Sequence, residues 1–164
     1  MTLVDIAKKN IQSPDIKYVA RQEKTTTKQI MDGLAAGTIV ILKNSSRNGT
    51  KAKFVPCGVG AGLRTKVNAN IGTSPDCISI EKELEKLEAA VHAKTDTVMD
   101  LSTGGNLRKI RQQVIKYSPV PVGTVPVYQA VCETISKRQD ISQMPAERLF
   151  DAIEEHAADK VDFL

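Results

Sequence analysis

Asp96-Thr-Val-Met-Asp-Leu-Ser-Thr-Gly-Gly105 holds, within ten residues, a strand, its exit and the approach to a helix. Thr97 to Leu101 is β-branched and apolar, which predicts a strand. Ser102 to Gly105 supplies the short polar and glycine residues that leave a strand and open a helix. A helix is predicted from about Gly105 to Tyr117, with Leu107, Ile110 and Val114 as its buried stripe. Upstream, Lys66-Val-Asn-Ala-Asn-Ile71 reads as a strand. The helix after it carries Ile80, Leu84, Leu87 and Val91 at i, i+4, i+7 and i+11. Downstream, Pro119 to Val127 reads as a third extended stretch. A polar connection then leads to a helix from Pro145, with Leu149, Phe150, Ile153 and Ala157 on one side. Val161-Asp-Phe-Leu164 begins another strand. Strand and helix alternating every 25 to 35 residues, roughly, indicate βαβ units and a parallel sheet. Polar residues gather where the strands end: Asn68 and Asn70, then Asp100 to Gly105, then Tyr128 and Gln129. In parallel α/β folds that edge binds ligands.

The whole chain has the composition of a globular protein. It has 164 residues, 41% apolar and 26% charged, with ten Gly, seven Pro and no Trp. This excludes collagen-like, low-complexity and disordered classes. No apolar run approaches the roughly 18 residues of a membrane span. Asp5, Lys8 and Lys9 follow Met1 too closely for a signal-peptide core, so no membrane partner and a cytoplasmic location are expected. Net charge runs +6 over residues 1–53, +2 over 54–144 and −4 over 145–164. The basic residues are scattered rather than clustered, so a solvated helical surface is expected and a nucleic-acid partner is not. Cys57, Cys77 and Cys132 form no CxxC pair and read as reduced, buried or half-buried thiols.

Residues 1–62 are predicted to form a small helix-plus-hairpin prefix. Thr25-Thr26-Thr27 offers N-caps, Ile30, Met31 and Leu34 share a helical face, and Gly37 is a C′ stop. Thr38 to Leu42 reads as a strand, Asn48-Gly49 as a turn, and Lys51 to Val55 as the return strand. Gly58-Val-Gly-Ala-Gly62 is GxGxG rather than GxGxxG and precedes no helix, so it reads as a linker and not a nucleotide loop. Residues 63–164 form the second domain. A complete (β/α)8 barrel takes about 200–250 residues. The expectation is therefore either a small open α/β domain or part of a longer barrel, and the apolar Val161-Asp-Phe-Leu164 favours the latter.

Taken singly, other residues read blandly. His92 and His156 are expected at the surface or its boundary. Glu81, Glu83, Glu85 and Glu88, alternating with Lys82 and Lys86, read as a solvated, ion-paired helix face. Ser102 to Gly105 is expected to cap the following helix, and its N–H groups also suit an anion.

Three blocks together are far more specific: Leu63-Arg-Thr-Lys-Val-Asn-Ala-Asn-Ile-Gly-Thr-Ser74, Asp96 to Gly105, and Ser118-Pro-Val-Pro-Val-Gly-Thr-Val-Pro-Val-Tyr-Gln-Ala130. In this order and spacing they closely resemble the phosphomethylpyrimidine synthase (ThiC) family of thiamin biosynthesis, from about residue 62 onward and more loosely before it. The resemblance implies a radical S-adenosylmethionine lyase with a (β/α)8 catalytic barrel, of which residues 63–164 supply about strands one to four. It implies that 5-aminoimidazole ribotide is rearranged to hydroxymethylpyrimidine phosphate, with a 4Fe–4S cluster and S-adenosylmethionine as cofactors, a second divalent metal (zinc), and a homodimer. The implied substrate-binding residues are Asn70, Met99 and Tyr128. Asn70 has two donors and an acceptor, Met99 is a soft apolar wall, and Tyr128 combines a ring face with a hydroxyl.

The sequence also departs from the family pattern. The family's CxxCxxxxC cluster motif and the two His of its second metal are absent, and Cys57, Cys77 and Cys132 do not have that spacing. The Thr-Ile-His that follows Val-Asp-Phe in the family is not present after Leu164. The Pro-Ala-Asn stretch appears as Ile41-Leu-Lys-Asn-Ser-Ser-Arg-Asn48, and Lys160 replaces the usual Gly. These residues leave open a paralogous branch that makes 5-hydroxybenzimidazole from the same ribotide. Without cluster ligands the 164 residues alone are expected to be inactive.

Overall fold

The computed structural model describes residues 1–47 and 54–164. Contacts divide them into two compact units, residues 1–43 with 55–66, and residues 44–54 with 67–164.

The first unit contains α1 (Leu3–Lys8), α2 (Pro14–Gln22), α3 (Thr27–Ala36), β1 (Ile39–Leu42) and β2 (Cys57–Gly60). Each helix starts on a hydroxyl side chain. Thr2 forms a capping box with Asp5, Ser13 precedes Pro14 at N1, and Thr26 accepts from the Gln29 N–H. Such caps stabilise a helix by about 1 kcal/mol each. Gly37 ends α3 in the left-handed conformation at φ 73°, as its position predicted. Ile16, Val19, Ile30, Met31, Leu34, Ile39 and Ile41 form the buried cluster.

The Gly-rich stretch is not a linker. Gly58 and Gly60 belong to β2, which pairs antiparallel with β1, Ile39 opposite Gly60 and Leu42 opposite Cys57. A Cβ on Gly58 would lie 2.4 Å from Val19 Cγ1. One on Gly60, at φ +147°, would lie 2.2 Å from the Thr38 carbonyl oxygen. The glycines are there because neighbouring atoms leave no room for a side chain. The predicted Asn48-Gly49 turn and residues 51–53 of the predicted return strand lie outside the described residues. Phe54 and Val55 are not in a strand.

The second unit is α/β. It contains β3 (Asn68–Ile71), α4 (Ile80–His92), β4 (Thr97–Asp100), α5 (Leu107–Tyr117), β5 (Val122–Thr124), α6 (Pro126–Ser136), a 3-10 turn at Ile141–Gln143, and α7 (Ala146–Ala158). The strands are parallel in the order β3-β4-β5. Beside β5 the last strand-like segment is a single parallel bridge, Gly123 with Phe163. Two backbone bonds flank it, Thr124 N–H to the Phe163 carbonyl and Asp162 N–H to the Val122 carbonyl, at 3.3 and 3.0 Å. Arg47 lies buried in this unit. It donates to the carbonyls of Ile115 and Ser118, both at 2.7 Å, and to Asp162. A cation there meets the negative end of α5.

Three expectations need correction. Residues 119–127 are not one extended stretch: only Val122–Thr124 is a strand, and Pro126 opens α6 where a polar connection was expected. Proline suits that first helical position because its missing N–H would have had no partner. In α7 the buried positions are Ala152 and His156, whereas Phe150 is 63% exposed. Glu83, expected in solvent, is buried: it accepts from the Gly72 N–H at 2.7 Å and pairs with Lys86 at 2.5 Å.

Candidate functional site

Strand register sorts the residues of the second unit's sheet onto two faces. Asn70 stands beside Met99, and Met99 beside Gly123, while Ala69, Val98 and Val122 alternate with them. Val98 and Val122 are fully buried, and Asp100 and Thr124 share their face. The other face carries Asn68 and Asn70, both exposed, with half-buried Met99 and buried Thr97. Gly123 continues the row, and the Phe163 ring lies directly over it. A Cβ on Gly123 would come within 2.3 Å of that ring.

The structure therefore brings Asn70 and Met99 side by side near the C-terminal ends of β3 and β4. Tyr128 is not at a strand end. It sits in the first turn of α6, four residues past β5, and is 42% exposed. Asn68, which was not among the implied contacts, is tied to the row. The Thr97 hydroxyl donates to Asn68 Oδ1 at 2.7 Å, and Asn68 Nδ2 donates to Asn70 Oδ1 at 3.2 Å.

The loops after β3 and β4 are stitched together. The Thr73 N–H donates to Ser102 Oγ at 3.1 Å and its hydroxyl to the Gly104 carbonyl at 2.7 Å. The Thr103 N–H donates to the Thr73 carbonyl at 2.8 Å. Ser102 does not cap α5; its hydroxyl donates to Asp100 at 2.5 Å. The cap is Asn106, which accepts from the Lys109 N–H. Burial raises the Asp100 carboxyl above the ordinary aspartate value, against the hydrogen bonds from Ser102.

Behind the covered face lies a buried polar network that the sequence did not reveal. Arg111 binds Asp159 at 2.6 Å and Gln129 Oε1 at 2.8 Å. His156, expected near the surface, is buried, with Nδ1 2.7 Å from the Thr124 hydroxyl and Nε2 2.9 Å from Gln129 Oε1. Burial, and then the neighbouring Arg111, push His156 down to about 4, so the ring is neutral at pH 7. Burial works against the Asp159 carboxylate, but hydrogen bonds from Gln112, Arg111 and Arg108 hold it below the ordinary value. A cleft of about 450 Å³ opens between the 103–106 loop, the first turn of α5, α6 and α7. Thr103, Asn106, Cys132 and Glu155 help to line it, and Asn70, Met99 and Tyr128 do not.

An iron–sulfur cluster needs several thiolates converging on one point. Cys57 is buried in β2, Cys77 is exposed in the turn after β3, contrary to the expectation of burial, and Cys132 is half-buried in α6. Among the described residues no group of three or more His, Cys, Asp or Glu side chains is placed to hold a metal ion. The side chains described therefore do not fit the cluster or a second metal, and what the Asn70 row offers chemically is hydrogen bonding and apolar contact. It presents the Asn70 amide beside a soft apolar wall near the C-terminal ends of β3 and β4, where parallel α/β proteins bind ligands, whereas Asn68, expected at a strand end, opens β3.

Parallel βαβ units with a polar strand-end row define the class, and comparison with known proteins makes it specific. The radical SAM ThiC family profile matches residues 2–164, and the chain belongs to that family. It is 44% identical to a phosphomethylpyrimidine synthase of Thermodesulfovibrio yellowstonii and 48% identical to one of Thermoanaerobacter sp., across all 164 residues in each case. It is also 44% identical to phosphomethylpyrimidine synthase 1 of Methanothermobacter thermautotrophicus. The chain spans 37% of the length of each of these relatives.

Proposed function

We propose that this chain supplies the first strands of a (β/α)8 radical S-adenosylmethionine barrel, and with them part of the pocket for 5-aminoimidazole ribotide, in phosphomethylpyrimidine synthase. The observation that carries the reading is the register that sets Asn70 beside Met99 on the open face of a parallel sheet. An open doubly wound sheet buries both faces under helices and needs apolar residues on both. Here one face bears Val98 and Val122 at 0% exposure, and the other bears exposed Asn68 and Asn70. A one-sided sheet of that kind suits a barrel wall, whose inner surface lines a site.

In this reading the chain's residues bind and orient. Asn70 donates to an acceptor on the ribotide, Met99 gives an apolar wall without an exchangeable proton, and Tyr128 reaches in from the start of α6. The cluster and S-adenosylmethionine supply the radical chemistry through residues other than those described here, so the 164 residues alone bind without turnover. The names of the relatives favour the pyrimidine product over 5-hydroxybenzimidazole. Among the described residues no helix is long and apolar enough to cross a membrane. The proposed place of work is the cytoplasm. A homodimer completes the proposal.

The test is a titration of the chain with 5-aminoimidazole ribotide, with Asn70→Ala as control. Saturable binding that Asn70→Ala abolishes supports the reading, and equal binding by both proteins rejects it.

A further inference from the structure

We infer that Asn68 and Thr97 are positioning residues that fix which way the Asn70 amide points and so make Asn70 a hydrogen-bond donor to the ligand. This rests on the proposed ligand role of Asn70. The inference starts at Thr97, which is 4% exposed and faces the same side of the sheet as the two asparagines. A buried hydroxyl must place its hydrogen on an acceptor. The acceptor beside it is Asn68 Oδ1, at 2.7 Å.

That bond settles the orientation of the next group. With its oxygen turned to Thr97, Asn68 directs its Nδ2 along the strand toward Asn70, two residues on and on the same face. Asn70 meets it with Oδ1, at 3.2 Å. Among the described residues neither hydrogen of Asn70 Nδ2 meets an acceptor, so both remain for whatever occupies the open face. An amide has an acceptor end and a donor end, and the relay engages the acceptor end from the protein side.

The consequence is a selection rule. The ligand group against Asn70 is an acceptor, such as an unprotonated ring nitrogen, a ribose oxygen or a phosphate oxygen. A ligand amino group directed at Nδ2 would face two N–H donors and is disfavoured there, and the one remaining lone pair of Oδ1 is the single place left for it. The alternation of Asn-Ala-Asn is what permits this, since a one-residue shift would place the first amide on the covered face.

The relay is tested in the 164-residue chain by nuclear magnetic resonance of the asparagine side-chain amides. In the ligand-free protein the Asn68 and Asn70 amide groups are expected to be ordered. Thr97→Val, which keeps the shape and removes the hydroxyl, is expected to mobilise both, and Thr97→Ser to restore both. Because Thr97 is buried, Asn68→Ala at an exposed position serves as the second variant; it should leave the backbone spectrum native and mobilise Asn70. An Asn70 amide as ordered in Thr97→Val and Asn68→Ala as in the parent overturns the relay. A 5-aminoimidazole ribotide titration gives the functional arm. Thr97→Val should bind about fivefold to tenfold more weakly, the loss expected for one misdirected hydrogen bond, and Thr97→Ser within twofold of the parent. Unchanged affinity in Thr97→Val, with Asn70→Ala losing binding, overturns the positioning role alone. Unchanged affinity in Asn70→Ala overturns the ligand reading, while the ligand-free spectra still decide the relay.

Discussion

The two faces of the β3-β4-β5 sheet handle polar residues in opposite ways. On the covered face Thr124 meets His156, and beyond them Arg111, Gln129 and Asp159 exchange hydrogen bonds at 2.6 to 2.9 Å. Every one of these residues is buried, so each polar group must find a partner inside the protein. On the other face Asn68 and Asn70 are exposed, and among the described residues the Asn70 donors meet no protein acceptor. The covered face uses polarity to fix the helices against the sheet, and in the proposed reading the open face keeps its polarity for a ligand. Stability should reside in the first and recognition in the second.

The largest effect that would sharpen this contrast is at Asp159. Its side chain is 3% exposed and pairs with Arg111 at 2%. Asp159→Ala leaves a buried guanidinium uncompensated and should cost about 3–5 kcal/mol in chemical denaturation. A loss below about 1 kcal/mol would mean that water reaches Arg111 and the network is not a core. Next is the pH response of His156. Its folded value is about 4, whereas the unfolded chain protonates near 6.5. Between these values the unfolded state binds more protons. Stability is therefore fully present above pH 6.5, falls as pH drops toward 4, and levels off below, by up to about 3 kcal/mol in all. Denaturation midpoints across that range should show the slope, and His156→Gln should flatten it.

Gly123→Ala comes third. The added methyl collides with the Phe163 ring and should cost about 1–3 kcal/mol while displacing that ring, visible as altered Phe163 resonances. The smallest effect is the most telling. Asn70→Ala, at an exposed position, should change stability by no more than about 0.5 kcal/mol. A large destabilisation would make Asn70 structural and erase the contrast between the faces.

The periodic parts of the fold were legible because their signals are local. The stripe Leu107, Ile110, Val114 and the β-branched run at 97–101 each report an element within a dozen residues. The three blocks at 63–74, 96–105 and 118–130 were legible for a different reason, since they resemble a known family. What escaped were residues whose role depends on distant partners. His156 follows two glutamates and looks like surface, yet Arg111 and Thr124, 45 and 32 residues away, bury it. The face of α7 is rotated for the same reason, because His156 and Asp159 point inward and displace the apolar stripe as the contact surface. Strand β2 was hidden because its glycines answer to Val19 and Thr38 rather than to local flexibility. Helix α6 was masked by its β-branched and aromatic start, although Pro126 at its first position was the available clue. At the proposed site, Asn70 and Met99 were implied by the family resemblance, but their adjacency required the register, and the tie from Thr97 through Asn68 required side-chain positions.

The most direct examination of the open face is a backbone amide map of the 164-residue chain titrated with 5-aminoimidazole ribotide. Saturable shifts should concentrate at residues 68–71, 99 and 123 and at the start of α6, and disappear in Asn70→Ala. Shifts centred instead on the cleft between α6 and α7, or persisting unchanged in Asn70→Ala, would contradict a ligand face built on Asn70 and Met99.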